Sequence, residues 1–297
     1  MKKALMKAML VSAAFVVSNT SFSEESTYPN SVPEPINSLY DLIKPLDNNI
    51  SLVYLQTDKG VKQGIIDSLS GIKIVPPIYE QILSYHEDIA VVVKDNKYSL
   101  IDTKNNTVLP TVYDYIVFQN DGTARVQLDG KYGLINNKGE QIISNKYDYV
   151  GMFSEGLLAV QLNGKAGYID QDEKAVIDFQ YDYGHEFANG LAWVSFNNKY
   201  ALINKDNKLV IPFIYDSARA FSNGLAVVSL EGKDGFVDQQ GRVIIPFKYD
   251  SALSFENGVA KVYVRDNHDC SGSFCIDIKG NRTECPDEYI ATAEVSD

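Results

Sequence analysis

Histidine, tryptophan and cysteine are scarce in this sequence: 297 residues hold three histidines, one tryptophan and three cysteines. His86, His185 and His268 are the only imidazoles, so few side chains titrate near neutral pH. The chain also lacks a Gly-x-Ser-x-Gly, a His-Glu-x-x-His and a phosphate-cradling glycine loop. No catalytic residue, no metal-ligand set and no cofactor is therefore expected. Basic residues are outnumbered, 27 against 39 acidic, for a formal net charge of −12. Nucleic acid and anionic lipid both need a basic face, so neither is expected as a partner. Long apolar runs are absent too. The strongest one, Ala8 to Val17, is about ten residues, too short for a membrane span.

That run has another use. Lys2, Lys3 and Lys7 precede it and the small Ser21 and Ser23 follow it, which is the pattern of a secretory signal over residues 1–23, cut near Ser23. The residue directly after the cut is Glu24 and not a cysteine, so no lipid anchor is expected. The mature chain is expected to carry no transmembrane segment and to be periplasmic or secreted. Loss of the three lysines takes its charge from −12 to −15. In such a compartment Cys270, Cys275 and Cys285 should form one disulfide and leave one thiol, with the pairing open. A zinc site of the three cysteines with His268 is the competing arrangement.

What the sequence does contain is a period of 34. Tyrosine followed by an acid recurs at Tyr79-Glu80, Tyr113-Asp114, Tyr147-Asp148, Tyr181-Asp182, Tyr215-Asp216 and Tyr249-Asp250. A glycine recurs on the same step at Gly122, Gly156, Gly190, Gly224 and Gly258. After that glycine comes an alternating β-rich stretch such as Leu225 to Leu230, then a two-residue turn of the Asp129-Gly130 or Asn163-Gly164 type. A second strand follows, as in Lys233-Asp234-Gly235-Phe236-Val237-Asp238. A third runs from Val243 to Tyr249 and has proline in several copies (Pro76, Pro110, Pro212, Pro246), which places it at a sheet edge.

The two-residue turn fixes the pairing: Val228 should face Gly235, Val227 should face Phe236 and Trp193 should face Leu202. Apolar residues then fall on both faces, as a sheet held between two neighbours requires. One column is small in every copy, namely Gly64, Ser99, Gly133, Gly167, Ala201 and Gly235. Something must pack closely there, most simply the backbone of the adjacent repeat or an aromatic ring.

The unit resembles the WG, or KWG, repeat of bacterial proteins, whose core is Lys-Trp-Gly-aromatic-Ile-Asp, a turn, an Ile-Pro-Pro-like strand and Tyr-Asp. The likeness runs from about residue 51 to about residue 280. It departs at the name-giving tryptophan, which is Gln63, Tyr98, Tyr132, Ala166, Tyr200 and Asp234 in successive copies. The resemblance implies a repeat architecture and no particular activity. The expected fold is all-β: a tandem array of six to seven three-stranded antiparallel meanders, stacked as an open superhelix or, alternatively, closed as a propeller-like ring. Residues 24–48 should cap the first repeat, with a helical turn near Ile36 to Ile43 laying Leu39, Leu42 and Ile43 on it. Residues 49–285 form the repeat domain and 286–297 an acidic tail.

Repeat arrays bind through positions that the scaffold leaves free to vary. One such column is Val91, Arg125, Ala159, Trp193, Val227 and Lys261; the next is Val93, Gln127, Gln161, Ser195, Ser229 and Tyr263. The candidate binding residues are Trp193, Arg125, Lys261 and Tyr263, with Tyr183 and His185 from the loop before Gly190. The structural alternative for Trp193 is a ring packed on Leu202 and the next sheet. The expected function is a non-catalytic binding or scaffolding module for a protein or glycan. A cell-envelope enzyme or enzyme inhibitor is the alternative, and a cation-dependent surface protein using the ladder of acids is another.

Overall fold

The computed structural model describes residues 39–47, 49–86, 89–102, 104–119, 121–265 and 271–286. The signal segment, His268, Cys270 and nearly all of the acidic tail lie outside these residues.

Every strand pairs with its sequence neighbour. The result is seven antiparallel sheets of four strands, over residues 42–79, 81–113, 115–147, 149–181, 183–215, 217–249 and 251–283. The two middle strands of each sheet are the expected hairpin, with the expected register: Val228 faces Gly235, Val227 faces Phe236 and Trp193 faces Leu202. Turn residues such as Asp95, Asn96, Asn163 and Gly164 take positive φ, which tight hairpin turns demand. The proline-bearing strand lies at the outer end of the strand order, as its missing donor requires.

The structure adds a fourth strand that sequence reasoning assigned to the connecting loop. It opens each sheet directly after the tyrosine-acid pair, and in the last three sheets it is only two residues long, as in Tyr183–Gly184. Alternation cannot be seen over two residues. The same addition corrects the expected cap: Leu42–Asp47 is an opening strand paired with Ile50–Thr57, and Leu39 and Leu42 are 63% and 46% exposed. Ile43 does pack on the first sheet, together with Tyr40 against Val53 and Ile66. Tyr40-Asp41 is thus a seventh tyrosine-acid pair, displaced from the 34-residue step.

The small column also needs correction. A methyl group built on Gly167 would lie 2.7 Å from the Ile177 carbonyl oxygen, and one on Gly133 would lie 2.5 Å from that of Ile143. What crowds the column is the outer strand of the same sheet, which slips register at this point. Ser99, in the same column, donates to the Leu109 carbonyl at 2.7 Å.

Apolar clusters fill the space between consecutive sheets. Leu134, Tyr147, Val150 and Leu158 join the third to the fourth, and Tyr168, Phe187 and Val194 join the fourth to the fifth. Neither end is bare, since Val53 and Ile66 of the first sheet and Cys275 of the last are fully buried. Cys275 pairs with Cys285, which settles the disulfide and takes two ligands from the competing zinc arrangement.

The acid of each of the six tyrosine-acid pairs on the 34-residue step clasps two sheets together. Asp148 receives Lys131 of the third sheet and the Gly164 amide of the fourth sheet's hairpin turn, the latter at 2.9 Å. Asp182 receives Lys165 at 2.6 Å and the Asn197 amide at 2.7 Å. Glu80, Asp114, Asp216 and Asp250 repeat the pattern. The lysine beside each of Asp114, Asp148, Asp182, Asp216 and Asp250 holds its carboxyl below the usual aspartate range.

Candidate binding surface

Residues directly opposite one another in an antiparallel sheet share a face, so each sheet carries a row of side chains beside its hairpin turn. In the third sheet the row is Tyr115, Gln127, Tyr132 and Tyr147; in the fourth it is Tyr149, Gln161, Ala166 and Tyr181. In the fifth it is Tyr183, Ser195, Tyr200 and Tyr215, whereas the sixth has Ser217, Ser229, Asp234 and Tyr249. The third member is the position at which the repeat's tryptophan stands.

Three ways of filling that position occur. Tyr98 reaches the next sheet's Tyr115, with ring centroids 6.0 Å apart. Gln63 and Asp234 reach across with oxygen instead, accepting the Ile82 and Ala252 amides, each at 2.8 Å. Ala166 does neither. Beside it lies a cavity of about 290 Å³, lined by Tyr132, Tyr149, Gln161, Ala166, Tyr183 and Gly184 among others. Gly184 occupies the position equivalent to Ile82 and Ala252, so its amide borders the space that a longer side chain at 166 would enter.

Around this cavity the tyrosines are concentrated and partly open to solvent. Tyr115 is 38% exposed and Tyr183 43%. His185 packs its ring edgewise on Tyr183 at 5.0 Å and near Tyr200 at 6.5 Å. Burial lowers the His185 pKa, against the opposing charge of Glu186. The Arg125 guanidinium lies 5.4 Å from the centre of the Tyr149 ring. A second depression, of about 400 Å³, opens farther along the strand that begins at Tyr149 and is lined by Asp121, Met152, Phe153, Ser154 and Glu186.

The six candidate residues therefore separate. Tyr183, His185 and Arg125 gather at the fourth sheet and its neighbours. Trp193 does not join them: it is 2% exposed, stacked 5.8 Å from Phe221 and edgewise 6.3 Å from Tyr215, within the core between the fifth and sixth sheets. Val91, Ala159 and Val227 of its column are likewise buried against the next sheet, and Lys261, in the last sheet, is 9% exposed. The variability of that column reflects how each pair of sheets packs. Lys261 lies 5.8 Å from the ring of Tyr263 in the seventh sheet, away from the tyrosine cluster.

Sequence reasoning placed Gln161 in a variable column but missed Tyr132, Tyr149, Ala166 and Gly184 as parts of this surface. The signal was present in Tyr113-Asp114-Tyr115, Tyr147-Asp148-Tyr149 and Tyr181-Asp182-Tyr183, where the second tyrosine recurs in three consecutive copies only. Among the described residues, no group of three or more His, Cys, Asp or Glu side chains is placed to hold a metal ion, and no helix is long and apolar enough to cross a membrane.

The WG containing repeat matches residues 64–98, 98–132, 132–165, 167–200, 201–233 and 235–267, more than half of the chain. No curated protein sequence matches it. Among solved structures the chain is similar to Kluyveromyces lactis Hsv2p, at 13% identity and a TM-score of 0.37, covering 82% of this chain and 99% of that one. It is also similar to the extracellular domain of a putative one-component system from B. thetaiotaomicron, at 12% identity and a TM-score of 0.37. That match covers 82% of this chain and 42% of the other. A protein of unknown function from Bacteroides caccae matches at 12% identity and a TM-score of 0.28, covering 64% of this chain and 89% of that one.

Proposed function

The chain belongs to the family built from WG containing repeats, and we propose that it is an exported, non-catalytic binding module holding a protein partner on the tyrosine-rich face of its second to fifth sheets. The observation that carries this is the uneven distribution of rings. Tyr98, Tyr115, Tyr132, Tyr149, Tyr183 and Tyr200 form one strip across these sheets, whereas the sixth sheet puts Ser217 and Asp234 in equivalent positions. A scaffold that needed the rings for stability would keep them in every copy. Tyrosine offers large rigid contact area with a polar tip, which suits an interface.

Export follows from the signal-like leader, and the Cys275–Cys285 disulfide suits an oxidising compartment. The periplasm and the medium both meet that condition. The acids that suggested a cation ladder are each engaged by a lysine and a turn amide, which favours a structural role over ion binding.

Affinity capture with the purified mature chain, residues 24–297, against envelope and secreted fractions tests the proposal. The control is the double variant Tyr149→Ala, Tyr183→Ala; Trp193→Ala would disturb the core and cannot serve. A partner protein that the double variant loses while remaining folded supports the proposal. Equal capture by both forms refutes the surface, and a partner released by free sugar would make the ligand a glycan.

A further inference from the structure

Resting on the binding role above, we propose that the cavity beside Ala166 is a seat for an aromatic side chain supplied by a basic segment of the partner. The same position holds the protein's own tyrosine in three other copies, at Tyr98, Tyr132 and Tyr200. The scaffold around it is therefore already shaped for a phenol ring. At Ala166 the ring is missing while the surroundings persist: Tyr183 stands where Tyr115 meets Tyr98, and the backbone crowding at Gly167 matches that at Gly133, next to Tyr132. The remaining volume, about 290 Å³, admits a ring of that size. Tyr132, Tyr149 and Tyr183 supply faces and edges for ring contact. At its border the Gln161 side-chain oxygen can accept from a phenol hydroxyl or an indole N–H, its nitrogen being given to the Asp182 carbonyl, and the Gly184 amide can donate to a phenol oxygen.

Charge selects the rest of the ligand. The depression lined by Met152, Phe153, Asp121 and Glu186 begins about three residues farther along the strand from Tyr149, roughly 10 Å away at the strand rise. Unlike the clasp acids, neither Asp121 nor Glu186 is in an ion pair among the described residues. With a net charge of −12 on the chain as a whole, the segment that fits is extended and carries Lys or Arg about three positions from its aromatic residue.

Binding is measured on the purified mature chain by calorimetry or by tyrosine resonances, with p-cresol, N-acetyl-Tyr-Ala-Ala-Arg-amide, its Gln-for-Arg analogue and methyl glucoside. p-Cresol should bind saturably, and Ala166→Tyr should weaken it at least tenfold while melting as the parent does. The Arg peptide should bind at least fivefold tighter than its Gln analogue, an advantage lost in the Asp121→Asn, Glu186→Gln variant. If Ala166→Tyr misfolds, Ala166→Leu serves as the smaller plug. Unchanged p-cresol affinity in the plugged protein overturns the proposal, as does binding of methyl glucoside in place of p-cresol. Partner capture that survives plugging but fails in the Tyr149→Ala, Tyr183→Ala variant would remove the cavity proposal and leave the binding role standing.

Discussion

Ala166 in the fourth sheet and Asp234 in the sixth occupy the same position in the same hairpin, and they differ in what they complete. Asp234 is 8% exposed, and its carboxylate accepts the Ser229 hydroxyl and, at 2.8 Å, the Ala252 amide of the next sheet. The junction is closed by the protein itself. Ala166 offers only a methyl group, and the junction from the fourth to the fifth sheet retains a cavity. The backbone treats the two alike, since Gly167 and Gly235 lie equally close to the outer strand of their sheets. Within one repeat framework, the glycine thus lets the outer strand approach in both sheets, and the residue before it decides whether the junction is filled.

The largest effect should come from the shared part. Gly167→Leu and Gly235→Leu each drive a side chain into a backbone carbonyl, 2.7 and 2.8 Å from the added carbon. Each should cost about 3 kcal/mol or more in urea unfolding. A large difference between the two would break the equivalence. Next comes Asp234→Ala, which strips the acceptor from a buried amide and a hydroxyl and should cost about 1–3 kcal/mol. Ala166→Tyr should stay within about 1 kcal/mol of the parent, because it copies Tyr132 and Tyr200. A loss as large as that of Asp234→Ala would show that the cavity is not a vacant ring position.

Smaller still is an acid effect at the junction before the cavity. Burial works against ionisation of Glu173, yet Lys146, Ser144 and Tyr147 outweigh it and bring the pKa from 4.5 to about 2. A depressed carboxyl contributes its stability above pH 4.5 and loses it as the pH falls towards 2. The melting temperature should therefore drop over that window in the parent and drop less in Glu173→Gln. The least change is expected from Asp148→Asn, which removes a solvent-exposed ion pair with Lys131. Its small loss in melting temperature should shrink further in 1 M salt.

The repeat, the hairpin register and the edge position of the proline strand were legible because each rests on local chemistry: Asn163-Gly164 accepts positive φ, and Pro212 cannot donate. The opening strands Tyr183–Gly184, Ser217–Ala218 and Ser251–Ala252 were hidden by their length. Tyr40-Asp41 was hidden because it stands 39 residues before Tyr79-Glu80, although its backbone amide bonds Tyr54 as that of Glu80 bonds Val93. The binding candidates divided by depth. Tyr183 and His185 stand at the surface cluster, whereas Trp193 was chosen for its rarity, and rarity does not show whether a side chain faces solvent or the next sheet. Ala166 was visible as a departure from the repeat, but only the packing of Tyr132, Tyr149 and Tyr183 around it turns a missing ring into a space.

The clasps also bear on the order in which the molecule forms. Lys131 and Asp148 are 17 residues apart, and Asp148 and its turn amide at Gly164 are 16 apart. Each junction can therefore close as soon as one further hairpin is available, with little loop entropy to overcome. A chain threaded through a membrane amino end first could add sheets one at a time, each new hairpin finding its carboxylate already in place. The growing end would always be the last sheet to emerge, and the Cys275–Cys285 bond would tie down that last sheet once its final strands have arrived.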